Sequence, residues 1–159
     1  MMDDDNVQIA REITCETLKR INNLASLPQN WDAYGAPPID ERIIATAKYI
    51  ALRVPLLSVP MVVPMSGGNL QFEWHIRERF LELEFELPNA IHYLIGKKTS
   101  PDRSKMHEDF FDANEGVRKA KVLIEWVHTR EVPLTYEYLA ELAKKYPPPD
   151  EWWDEEDET

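Results

Sequence analysis

The apolar positions of this chain change period twice, and each change predicts a different kind of element. In residues 6–26, Val7, Ala10, Ile13, Leu18, Ile21 and Leu24 recur near helical spacing. Asp5 and Gln8 fit a reciprocal N-terminal cap, and Pro28 ends the segment. A second stripe, Ile43, Ile44, Ala47, Ile50 and Ala51, predicts a helix over 41–54, capped by Asp40 and stopped by Pro55.

From Val59 the period becomes two. Met61, Val63 and Met65 alternate with Pro60, Val62 and Pro64, and the two prolines place this strand at a sheet edge. Gly67-Gly68 is a hairpin signal. Leu70, Phe72, Trp74 and Ile76 then share one face, with Gln71, Glu73 and His75 on the other. After Arg77-Glu78-Arg79, Leu81, Leu83, Phe85 and Leu87 alternate with Glu82, Glu84 and Glu86. Pro88-Asn89-Ala90 turns into Ile91, Tyr93 and Ile95, with His92 opposite. The pattern predicts an α+β fold: a four-stranded antiparallel meander whose apolar face is covered by the two helices.

Residues 97–104 read as a polar loop. A third helix is expected over about 113–130, with Asp112 and Glu115 as its capping pair. A short helix at about 136–146 follows, capped by Thr135. Pro147-Pro148-Pro149 then enforces an extended chain. We therefore divide the sequence into one α+β domain, 1–146, and a Pro-rich, acidic, aromatic tail, 147–159.

Composition narrows the classes of function. At 159 residues the chain suffices for one domain with a real core. No apolar run approaches the ~20 residues of a membrane span. An acidic N-terminus and a single cysteine, Cys15, are what a cytoplasmic protein would carry. Cys15 itself reads as a buried helix filler. The net charge is -11, yet residues 150–159 hold seven of the 29 acids and none of the 18 bases, leaving the rest at only -4. Such a chain repels duplex phosphates and attracts a basic protein. Leu134 to Ala140 resembles the opening of a helix-turn-helix, but prolines and acids stand where a recognition helix would follow.

Leu27-Pro28-x-Asn30-Trp31-Asp32-x-Tyr34-Gly35-Ala36 precedes Gly67-Gly68-x-Leu70-x-Phe72-Glu73-Trp74 and then Leu81-Glu82-Leu83-Glu84-Phe85. This arrangement resembles a family of small, uncharacterised bacterial proteins with an Asn-Trp-Asp-x-Tyr-Gly-Ala signature. The resemblance covers about residues 20–95, leaving a helical extension at about 113–146 outside it. It implies a fold and no reaction, with an accessory role in mobile or defence-type loci.

Five groups carry candidate chemistry. Trp31, Asp32, Tyr34 and Gly35 suit a ligand rim, but more simply a structural signature in which the rings plug a helix–sheet gap and Asp32 caps backbone amides. On the polar sheet face, matching apolar positions sets Trp74 against Leu83 and Phe85 against Tyr93. The same register puts His75 beside Glu82, Glu73 beside Glu84, and Glu86 beside His92. Glu73, His75, Glu82 and Glu84 are thus an alternative metal set for a small hydrolase. Lys97, Lys98, Arg103 and Lys105 form a basic loop, and His107-Glu108-Asp109 a polar trio without metal spacing. In the tail, Trp152 and Trp153 supply anchors within Asp154, Glu155, Glu156, Asp157 and Glu158, which steer toward a basic groove.

The reading favoured by the sequence is a non-enzymatic interaction module, antitoxin-like, immunity-like or regulatory, that masks a basic partner protein. It needs no cofactor.

Overall fold

The computed structural model describes residues 4–87, 89–98, 106–112 and 115–129. The expected last helix and the tail lie outside these residues.

Helix α1, Asp4–Ala25, starts two residues earlier than its apolar stripe suggests. Asp5 therefore sits inside the first turn, where a carboxylate suits the helix dipole, and Gln8 donates to Glu12 instead of closing a cap. Only Thr17 and Ile21 are buried, so α1 is an outer cover resting on α2, Glu41–Arg53, and the first strand. At the start of α2, Asp40 accepts from the Arg42 amide at 2.8 Å, the cap expected from the sequence. Helix α2 buries its whole stripe, Ile43, Ile44, Ala47, Ile50 and Ala51. None of the described helices is long and apolar enough to cross a membrane.

The sheet has five strands, β1 (Met61–Pro64), β2 (Leu70–Ile76), β3 (Arg79–Glu86), β4 (Ala90–Lys97) and β5 (His107–Asp112), paired antiparallel in chain order. β1 is at an edge, as its prolines require. The fifth strand corrects the four-strand expectation. Only Phe111 of its described side chains is buried, so β5 shows no alternation of apolar and polar residues to mark it.

Both central registers differ by two residues from the expected ones. Trp74 pairs with Leu81, Glu73 with Glu82 and His75 with Phe80, while Leu83 pairs with Tyr93 and Glu84 with His92. The β2–β3 turn is only Arg77-Glu78, with Arg77 in the left-handed region at φ 55°, so Arg79 joins the strand instead of the loop. Sliding a strand by two preserves the face of every side chain but replaces every partner.

Helix α3, Gly116–His128, packs with α2 on the apolar face. Its N-terminal Glu115 is helical and makes no side-chain cap, and Asp112 ends β5, so the expected capping pair is not formed. Gly116 is tightly packed, so a side chain there would make its neighbours give by a few tenths of an ångström. A Cβ there would lie 3.0 Å from Ile50 Cδ1 and 3.1 Å from Ile91 Cδ1. The core is centred on Phe72, whose ring meets Trp74 and Phe85 edge-on at 6.0 and 4.9 Å. Arg79, 7% exposed, closes the far end of α3 by donating to the carbonyls of Trp126 and Thr129, both at 2.7 Å.

Candidate functional site

The Trp-Asp loop is a locked chain reversal. Asp32 Oδ1 accepts from the amides of Tyr34 at 2.8 Å and Ala36 at 3.0 Å, and these two bonds hold its carboxyl below the usual range. Asn30 Oδ1 accepts from the Gly35 amide, and the Trp31 indole donates to the Pro37 carbonyl at 2.9 Å. Asn30, Ala33 and Gly35 all take positive φ. The amide-capping role expected of Asp32 is present. The plugging role expected of Tyr34 is not: its side chain is 93% exposed, while Trp31 is half-buried.

The polar sheet face is the larger feature. The helices give their buried residues to the cluster on the opposite face, which gathers Leu70, Phe72, Trp74, Leu81, Leu83, Phe85, Ile91 and Ile95. Reading across the polar face, one row is Met61, Glu73, Glu82, Leu94 and Glu108, and the next is Val63, Gln71, Glu84, His92 and Phe110. Four carboxylates thus converge on two adjacent rows, with apolar side chains at both edges.

These carboxylates, and Glu86 one row further on, sit in unlike settings. Glu73 is served from both sides along its own strand, by Gln71 Nε2 at 2.6 Å and His75 Nε2 at 3.3 Å. Glu82, opposite it, has its carboxyl pushed up by burial and then by the Glu73 charge, partly offset by His75 and His92. Glu86, two residues beyond Glu84 on the same strand, has its carboxyl pushed from 4.5 up to about 7 by hydrogen bonding to Glu84, by burial and by the Glu84 charge. His92 lies 3.6 Å from Glu108 and tilts against Phe110, ring centroids 4.6 Å apart.

The four residues of the alternative metal set do not close around a point. His75 stacks on Phe80 at 6.4 Å, Glu82 faces Glu73, and Glu84 lies between Gln71 and His92. Among the described residues, no group of three or more His, Cys, Asp or Glu is placed to hold a metal ion. Cys15 is exposed on α1, contrary to the buried filler expected. The His107-Glu108-Asp109 trio belongs to β5. Of the basic loop, Lys97 and Lys98 are exposed, and Arg103 and Lys105 lie outside the described residues, as do all the tail positions, Trp152 to Glu158. The sequence named the carboxylates, Glu108 only as part of a polar trio, and missed Phe110 and the strand that brings both to this face, because that strand has no alternating signal. No family model, curated protein or solved structure matches this chain.

The raised carboxyls make stability depend on pH with a definite sign. Below about pH 4.5 folded and unfolded chains are both protonated at Glu86, and no cost exists. Between there and about 7 the unfolded chain releases a proton that the fold retains, so stability falls as pH rises. Glu86→Gln is expected to flatten that part of the curve and, after discounting for solvent screening, to gain about 1 kcal/mol above pH 7. Urea unfolding across pH 4 to 8 measures it, and equal slopes in both proteins would contradict the raised Glu86 carboxyl.

Proposed function

We propose that this chain is a non-enzymatic interaction protein, of antitoxin, immunity or regulatory-subunit type, that binds and masks a basic partner protein. The observation that carries the reading is the direct opposition of Glu73 and Glu82, with Glu84 and Glu86 beside them on the same strand as Glu82. Directly opposed like charges on a sheet destabilise it, and a cation inserted between them reverses the sign. An arginine guanidinium fits best, since its planar fork can bridge two carboxylates. Exposed Met61 and Phe110, at the two edges of the same rows, offer apolar area beside the charges.

The acidic tail is part of the same proposal. Trp152 and Trp153 would anchor while Asp154 to Glu158 steer the approach, and the triple proline limits the entropy lost on ordering. Membership in the Asn-Trp-Asp-x-Tyr-Gly-Ala family, a cytoplasmic setting and a defence-associated role belong to the proposal too. The metal-hydrolase alternative is not carried forward, because among the described residues no three of its donors are grouped to hold an ion.

An oligo-arginine peptide is a direct probe, titrated by calorimetry at two salt concentrations. The E73Q/E82Q/E84Q/E86Q variant is expected to bind at least about tenfold more weakly, as loss of charge-assisted pairs implies. A control, D4N/D5N/E12Q/E41Q, removes the same number of carboxyls but on exposed helical positions, and is expected to bind nearly as the parent does. Equal weakening in both variants would mean that bulk charge alone attracts the peptide, and the sheet-face reading would fall. Deleting 147–159 measures the tail's share separately.

A further inference from the structure

A second constellation lies on the helical side of the sheet, away from the carboxylates. Ser58, in the link between α2 and β1, meets His128, the last residue of α3. Its Oγ stands 2.7 Å from His128 Nε2. The other ring nitrogen, Nδ1, lies 2.7 Å from the Ile124 carbonyl. A carbonyl only accepts, so Nδ1 carries the proton, and Nε2 presents a lone pair to the serine hydroxyl. Burial favours this neutral imidazole, lowering the His128 pKa against a smaller opposing effect of the Ile124 bond.

The serine is held with unusual firmness. Its amide donates to the Leu56 carbonyl at 2.8 Å, and Leu57 between them has φ 64°. This is the rarer, strained form of γ-turn, and such an outlier on a leucine costs on the order of 1–3 kcal/mol. The Ser58 carbonyl accepts from the buried Trp74 indole at 3.1 Å. Backbone donor, backbone acceptor and side chain are therefore all fixed. A nucleophile within hydrogen-bond reach of a base, with the base oriented by a third group, is the general arrangement for covalent catalysis.

We propose that Ser58 is a nucleophile and His128 its general base, forming an acyl-transfer site for activated esters of small apolar acids. Ser58 Oγ attacks the ester carbonyl carbon, and its proton passes to His128 Nε2. The bond from carbon to the leaving oxygen breaks, and that oxygen takes the proton from Nε2. Water then attacks the acyl-serine with His128 again as base, releasing the carboxylic acid and restoring the hydroxyl. The Ile124 carbonyl orients the ring but offers the imidazolium no full negative charge, so good leaving groups such as phenolates are the fitting ones. Apolar acids are favoured by the half-exposed Leu57 on one flank of the serine and by Val59 on the other. This site adds an activity to a chain otherwise read as a binding protein, and it does not rest on that reading.

The probe is an alkyl fluorophosphonate, in which the serine oxygen displaces fluoride from phosphorus, followed by peptide mapping. The expected result is one label, on Ser58, absent in Ser58→Ala. In folded His128→Gln, labelling and 4-nitrophenyl butyrate hydrolysis should both fall by about 100-fold or more, the usual share of a general base. Mapping on the unaltered protein needs no variant, so a misfolded Ser58→Ala leaves the test intact. An unlabelled parent, a label on another residue, or undiminished labelling in His128→Gln would each overturn the proposal. A purely structural serine–histidine lock predicts the first of these.

Discussion

Replacing Arg79 with alanine is expected to destabilise the fold by about 3–5 kcal/mol, the sum of one buried and one part-buried carbonyl losing their donor and a lost cation–π contact. The guanidinium sits 4.7 Å from the Trp126 ring centroid while it donates to the carbonyls of Trp126 and Thr129. It thus serves as the C-terminal cap of α3, delivered from a strand. Arg79→Met separates packing from hydrogen bonding, since it refills most of the volume and donates nothing. Urea unfolding with an unchanged slope is the measurement. If Arg79→Met matches the parent, the capping role is wrong.

The other large effect is expected at Trp74. Trp74→Ala should cost about 3–5 kcal/mol through the cavity left in a fully packed core. The ring is 2% exposed and stands edge-on to Phe72. Trp74→Phe keeps much of the apolar volume but removes the indole donor from the Ser58 carbonyl. Its cost should be nearer about 1–2 kcal/mol. The same urea series decides this, and equal losses in the two variants would show that the indole hydrogen bond, not the volume, dominates.

Much of this architecture was legible because burial writes a period into the chain. The stripes Ile43 to Ala51 and Leu70 to Ile76 needed only counting, and the prolines around β1 announced an edge. What escaped detection did so for physical reasons. β5 keeps one buried ring, Phe111, so nothing distinguishes it from a polar loop. The register depended on whether Arg79 was the last residue of a turn or the first of a strand, a choice made by a left-handed φ at Arg77 that no apolar pattern encodes. At the candidate site, the acids and histidines were visible as types, but a two-residue slide decided which of them face each other. Ser58 and His128 carried no signal, being far apart in sequence and each unremarkable alone. The exposure of Tyr34 was likewise hidden, because the lock beneath it is made by Asn30 and Asp32 with backbone amides.

The strict chain order of the strands bears on the route to the folded state. Each strand pairs with its predecessor, so the sheet can grow hairpin by hairpin, with loop closures that are short and fast. The helices follow another rule. α2 precedes the whole sheet and α3 follows it, so bringing them together closes a long loop and must come late. The Ser58–His128 contact spans 70 residues across that closure. Any signal that depends on this pair reports completed assembly, whereas a signal from β2 and β3 alone can arise from a half-built sheet.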